Sequence, residues 1–144
     1  MIIEKIDRPS EELLEALRRL IPQLGVHKAP PTFQELEALL GSESSTLLIA
    51  RDHDEAGEII GILSLTIYRV PTGIRSIVED VVVDERMRRR GVGKALIRRA
   101  IDLAREAGAN GLALTSNPGR AAANRLYQSM GFVLRKTNAY FYKL

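Results

Sequence analysis

The stretch from Val81 to Leu96 carries the densest chemistry in this chain. A run of three valines (Val81, Val82, Val83) ends in Asp84, and three arginines follow at Arg88, Arg89 and Arg90. Gly91, Val92, Gly93 and Lys94 then open an amphipathic segment. Glycine lets a backbone come close to a bulky anion. The first turn of a helix leaves N–H groups without intrahelical partners, and its dipole favours negative charge. The arginines add attraction and bidentate donors. The chemistry this predicts is the binding of a phosphate or diphosphate. Two other phosphate loops fit less well. A Walker loop needs glycine where Arg88 stands and Ser or Thr where Ala95 stands. A dinucleotide fingerprint needs a third glycine where Leu96 stands. The competing reading is a glycine-softened turn beside a solvated basic helix.

The elements that must hold this loop follow from periodicity. Residues 2 to 6 predict a first strand. Ser10 caps a helix with Leu13, Leu17, Leu20 and Leu24 at helical spacing, ended by Gly25. Thr32 and Glu35 form a capping box for a short second helix to about residue 40. Strands are predicted at 46 to 51, 59 to 70 and 74 to 83, the last buried on both faces at its valines. A helix over 91 to 107 shows an apolar stripe of Val92, Leu96, Ala100, Leu103 and Ala107. A strand at 111 to 116, a helix to about residue 130, and two closing strands at 132 to 135 and 139 to 143 complete the order. That order predicts an α/β or α+β sheet with helices on both faces.

Composition sets the bounds. A length of 144 residues suits one domain spanning 1 to 144. Apolar residues make up 45% and charged residues 27%, as in globular chains. No apolar run is long enough to span a bilayer, and residues 1 to 6 do not read as a signal peptide. The chain is therefore expected in the cytoplasm, without a membrane partner. There is no cysteine, and His27 and His53 are too few and too far apart for a metal site, so none is expected. The net charge of +3 is lopsided. Seven basic residues and no acidic ones lie between Arg86 and Arg99, leaving fourteen basic against eighteen acidic elsewhere. Such a concentration calls for an anionic partner or for plain solvation.

Arg88-Arg89-Arg90-Gly91-Val92-Gly93 resembles the Arg/Gln-x-x-Gly-x-Gly/Ala signature of the GNAT superfamily of N-acetyltransferases. Leu126, Tyr127, Gly131 and Phe132 resemble that family's Leu-Tyr-x-x-x-Gly-Phe ending of its fourth helix. The resemblance is strongest over residues 75 to 135. It implies a mixed, mostly antiparallel sheet with a splayed parallel strand pair that binds coenzyme A. It also implies acetyl-CoA as cosubstrate and direct transfer of an acetyl group to a primary amine. The main-chain amides around Arg88 to Lys94 would hold the diphosphate. The backbone at Val81 and Val83 would pair with the pantetheine arm, and an amide near Val82 would polarise the thioester carbonyl. Asn117 and Asn124 would touch the cosubstrate. Asn117, standing before Pro118, also reads as a helix N-cap.

Two side chains are candidates for proton transfer. An amine with a pKa of about 10.4 must lose a proton before it attacks. Glu79, two residues before Val81, is expected on the same strand face and is the candidate base, with water as the alternative. Residues Ile77 to Asp84 also resemble a segment of glucosamine-6-phosphate acetyltransferases in that superfamily. The competing reading of Glu79 is a carboxylate paired with a nearby arginine; Asp80 is expected on the opposite face. The resemblance assigns Tyr127 the role of proton donor to the departing thiolate. Tyr140 and Tyr142 share a face of the last predicted strand and could border an acceptor pocket. The acceptor is a small-molecule or peptide amine, and family habit admits a homodimer. A non-catalytic acyl-CoA sensor of the same fold is the alternative. Nucleic-acid binding is disfavoured, because the arginines are not interleaved with aromatics.

Overall fold

The computed structural model describes residues 1–144. Strand β1 (Ile2–Ile6) leads into helix α1 (Glu11–Leu20), which a short 3-10 turn extends to Gln23. Ser10 caps α1 by accepting from the Leu13 N–H, and Thr32 with Glu35 closes the expected capping box on α2 (Phe33–Gly41). Next come β2 (Ser45–Arg51), β3 (Ile59–Val70) and β4 (Gly73–Val83). Helix α3 (Val92–Glu106), β5 (Leu112–Leu114) and α4 (Ala121–Ser129) follow. No helix is long and apolar enough to cross a membrane.

The strands lie in the order β1-β2-β3-β4-β5. All neighbours are antiparallel except β4 and β5, which are parallel. A parallel pair needs a crossover, and α3 supplies it. Strands β2 and β3 are buried on both faces. One core lies under α1 and α2, with Leu47, Ile49, Ile62 and Val82 pointing into it. The other lies under α3, with Leu48, Leu63, Leu65 and Val78. Gly61 allows α3 to sit close on the sheet: a Cβ there would lie 3.2 Å from both the Val82 carbonyl oxygen and a Val92 methyl.

The even spacing of Val78 and Val82 predicts a shared face, yet they enter opposite cores. A β-bulge is the cause. Leu63 pairs with Val81 and Leu65 with Val78, so Glu79 and Asp80 together oppose the single residue Ser64. Both Val78 and Val81 belong to the α3 side. Glu79 and Asp80 therefore stand together, exposed, away from the face of Val81. This corrects the simple alternation that put Glu79 with Val81 and Asp80 opposite.

The two closing strands expected at 132 to 135 and 139 to 143 do not form. No residue after Phe132 makes a backbone hydrogen bond to the rest of the molecule. Val133, Leu134, Tyr140, Phe141 and Tyr142 are each more than four-fifths exposed. Local β propensity is present there, but no neighbouring strand accepts it.

Charged side chains tie the strand ends. Arg51 is buried and donates to Glu4 on β1, to Glu12 on α1 and to the Gly57 carbonyl. At the end of β4, Asp84 is 1% exposed. It accepts from the Arg86 guanidinium at 2.8 Å and from the Arg86 N–H at 3.1 Å, and Arg19 lies 3.5 Å away. The Arg86 hydrogen bond holds the Asp84 carboxyl below its ordinary value of 3.8, outweighing the burial that would raise it. A depressed carboxyl stabilises the fold fully above its unfolded pKa and loses that effect as pH falls through the lower folded value. Asp84→Asn is expected to cost about 1–2 kcal/mol at pH 7, discounted because Arg86 is half in solvent. Urea unfolding checks this: the gap to wild type should persist above pH 5 and narrow below pH 3.8.

Candidate functional site

The loop after β4 has two unlike halves. In the first, the backbone is satisfied by the protein. The Met87 N–H donates to the Asp84 carbonyl at 2.8 Å, and the Glu85 N–H donates to Gln23 Oε1 at 2.9 Å. In the second, none of the N–H groups from Arg88 through Lys94 donates to any protein acceptor. The first helical bond of α3 runs from the Ala95 N–H to the Gly91 carbonyl. Gly91 is the N-cap residue and has no side chain to satisfy the donors of that turn.

The backbone of this half is curled. Arg89 and Gly91 have φ of 63° and 79°, both left-handed. Left-handed residues alternating with ordinary ones turn successive N–H groups into a common concavity, which suits an anion. Arg88, Arg89, Arg90 and Lys94 surround it, exposed and without an acidic partner within 4.0 Å. Arg86, by contrast, is spent on Asp84 and Glu58, and Arg99 faces Glu106. Four basic side chains without an acidic partner are therefore grouped around the tip of α3.

The adjacent strands open beside this tip. Strands β4 and β5 pair only from Ser76 to Val78 with Leu112 to Leu114. From Glu79 onward β4 has no partner on that side. The Asp84 N–H donates to the Ile60 carbonyl, so the pair Val82–Ile62, two residues along, is also hydrogen-bonded. The Val82 amide is thus committed to β3. The backbone groups of Val81 and Val83 point the other way, into the opening, and the Val83 carbonyl is approached by Arg88 Nε at 3.5 Å. This corrects the expectation of a free donor at Val82; the free ones are at Val81 and Val83.

Across the opening stands α4. Tyr127 is half-buried and meets Phe132 edge-on, with ring centroids 5.9 Å apart. Its hydroxyl has no protein partner. Burial pushes the phenol above its ordinary value of 10.0, against a smaller opposing pull from the charge of Arg120. Tyr127 therefore holds its proton at neutral pH. Asn124, one turn earlier, donates through Nδ2 to the Asn117 and Arg120 carbonyls at 2.9 and 2.8 Å. Asn117 is not the N-cap; Arg120 occupies that position, without a side-chain bond. Asn117 Oδ1 instead accepts from the Gly119 N–H at 2.8 Å and closes the turn before α4. Glu79 forms neither a hydrogen bond nor an ion pair within the protein, so the arginine-paired alternative does not occur.

Sequence reasoning missed Ser116. It follows β5, its Oγ is buried without a partner, and the residue lines a groove that Asn124 and Tyr127 also line. A buried hydroxyl normally finds one. A lone serine before Asn117 and Pro118 carries no local sign of this.

The chain as a whole resembles known proteins. The profile of the acetyltransferase (GNAT) family matches residues 11–132. N-acetyltransferase family 8 member 3 of Rattus norvegicus is 32% identical over 91 residues, covering 62% of this chain and 39% of that protein. The chain thus spans less than half the length of that curated relative. An aminoglycoside acetyltransferase from an uncultured soil metagenomic sample superposes with a TM-score of 0.84 at 20% identity, over 99% of this chain and 95% of the other. Ribosomal-protein-alanine N-acetyltransferase from Brucella melitensis biovar Abortus 2308 superposes at 0.78 and 22% identity, over all of both chains. Likenesses at this identity carry the fold.

The two loop glycines differ in what they contribute. Gly91 is needed for its left-handed φ, so Gly91→Ala should cost about 1–2 kcal/mol. Gly93 is helical, and a Cβ there would meet only ordinary contacts at 3.7 Å. Gly93→Ala should therefore be neutral or stabilising by up to about 1 kcal/mol without ligand. Thermal denaturation of the two variants checks the contrast.

Proposed function

This chain belongs to the acetyltransferase (GNAT) family, and on that premise we propose that it transfers an acetyl group from acetyl-CoA to a primary amine by direct attack. The observation that carries the reading is the row of unpartnered N–H groups from Arg88 through Lys94 beside the opened β4–β5 pair. The residues fit a long ligand with a diphosphate in its middle and an amide-bearing arm. The N–H row and its free arginines bind the diphosphate. The exposed backbone edge at Val81 and Val83 pairs with the arm as another strand would.

When bound there, acetyl-CoA supplies an activated thioester. The protein's part is placement and proton handling. An N–H at Val81 or Val83 donates to the thioester oxygen as negative charge builds on it. Glu79, exposed at the bulge and free of ion pairs, accepts the proton of the incoming amine directly or through water. The amine nitrogen bonds to the carbonyl carbon, the carbon–sulfur bond breaks, and the sulfur leaves as thiolate. Tyr127, kept protonated by burial, donates to that sulfur. Asn124 holds the 117–120 turn against α4 and so steadies this wall. Holding both reactants in line supplies much of the acceleration. The acceptor class, an amine, is in keeping with neighbours described as acting on aminoglycosides and on a ribosomal-protein alanine.

An acceptor screen with acetyl-CoA, reading free thiol, tests this. Turnover with at least one amine is expected. Tyr127→Phe should lower kcat by roughly 10²–10⁴-fold while leaving coenzyme A affinity nearly unchanged. Full turnover in Tyr127→Phe would remove the tyrosine from the mechanism. Calorimetry showing no coenzyme A binding to the wild-type protein would remove the reading altogether.

A further inference from the structure

The curled row of N–H groups from Arg88 through Lys94 keeps its shape only if both of its ends are held. The far end is held by burial: Val92 and Leu96 are 3% and 0% exposed in the core between α3 and the sheet. The near end departs from residues 85–87, where the anchoring is thinner. The Arg86 and Met87 N–H groups bond to Asp84, within the same short segment. Arg86 also reaches Glu58 through its side chain, but both partners of that ion pair are more than half exposed, which makes it weak. Among these three backbone N–H groups, that of Glu85 alone donates to a distant element. It meets Gln23 Oε1 at 2.9 Å, across 62 positions of sequence.

Gln23 is itself well placed to hold that N–H. It closes the 3-10 turn Ile21–Gln23 that extends α1. Ile21 before it and Leu24 after it pack against the core under α1 and α2, so its backbone is fixed. The other end of its amide, Nε2, donates to the Arg19 carbonyl at 3.2 Å. One acceptor and one donor are thus engaged in different directions, and together they set the amide's orientation. Arg19 Nε lies 3.5 Å from the Asp84 carboxylate. The end of α1 therefore grips the entry of the loop from the face of the sheet opposite α3.

We propose, on the reading of that loop as a diphosphate site, that Gln23 is a positioning residue for coenzyme A. Its side chain touches no substrate and acts through the Glu85 backbone. The first free donor, at Arg88, stands three residues further on, so a displacement of Glu85 passes into the row. Arg89 holds a left-handed φ of 63° without being glycine, a conformation that persists only where its surroundings impose it. The bond from Gln23 is one of those surroundings: with it the N–H groups converge, and without it the near end of the curl relaxes.

Two substitutions in the full chain test this. Gln23→Met keeps the length of the side chain and removes both bonds; Gln23→Asn keeps the amide and withdraws it by one methylene. Calorimetry with coenzyme A should show each variant binding roughly three- to tenfold more weakly than wild type, the worth of one such hydrogen bond. In turnover the KM for acetyl-CoA should rise likewise, with kcat and the KM for the amine unchanged. Thr32→Ala, which removes the α2 cap outside the loop, is the comparison: it should lower Tm and leave coenzyme A affinity intact. In the ligand-free protein, heteronuclear NMR of Gln23→Met should show shifted amides from Arg88 to Gly91 as well as at Glu85. Unchanged coenzyme A affinity in both variants, or amide shifts that stop at Met87, would overturn the proposal. So would an equal loss of affinity in Thr32→Ala, since the effect would then be one of stability alone. A wild type that binds no coenzyme A would instead remove the diphosphate reading, and the role of Gln23 with it.

Discussion

A backbone N–H without a protein acceptor must be met by water or by a ligand. Here the chain leaves a continuous row of them, from Arg88 through Lys94, at one helix tip. Everything next to that row is held by the protein's own groups. Asp84 and Gln23 satisfy the residues just before it, and the α3 ladder satisfies those just after. The contrast gives the row its meaning. The donors stay available because Gly91 offers no capping side chain and because two left-handed residues turn them outward together.

The rest of the fold serves this tip. Gly61 lets α3 settle close on the sheet, which fixes where the helix begins. The bulge at Glu79 and Asp80 rotates the end of β4. The exit register of that strand then sends the backbone groups of Val81 and Val83 away from β3. Parallel pairing with β5 stops at Val78, so those groups meet an opening rather than a neighbour. The buried Asp84, bound by Arg86 and approached by Arg19, anchors the strand end from which the loop departs. Helix α4 then brings Tyr127 to the far side.

Much of this was legible in the residues. Capping by Ser10 and Thr32 is local chemistry, and both caps form as the sequence implies. The boundaries of β1 to β4 and of α3 follow from periodicity and glycine placement. What failed depends on partners distant in sequence. Alternation cannot reveal a bulge, because the extra residue is defined only by the strand opposite. For the same reason Val82 looked like a free donor until its register with Ile62 was known. Asn117 before Pro118 has the composition of a cap, yet the helix begins later and the side chain closes a turn. The aromatic tail has the propensity of a strand, but pairing is a property of two segments, and here the tail pairs with none.

Site legibility divides along the same line. Glycine, arginine and tyrosine announce themselves by type and spacing. The orphaned Ser116 hydroxyl does not, since burial and absence of a partner appear only in three dimensions. The account stands or falls on the amides of the loop. Heteronuclear NMR of the labelled protein titrated with coenzyme A reads them directly. The account predicts saturable downfield shifts of the amide protons between Arg88 and Lys94. Binding that moved other residues while leaving those amides unshifted would contradict it.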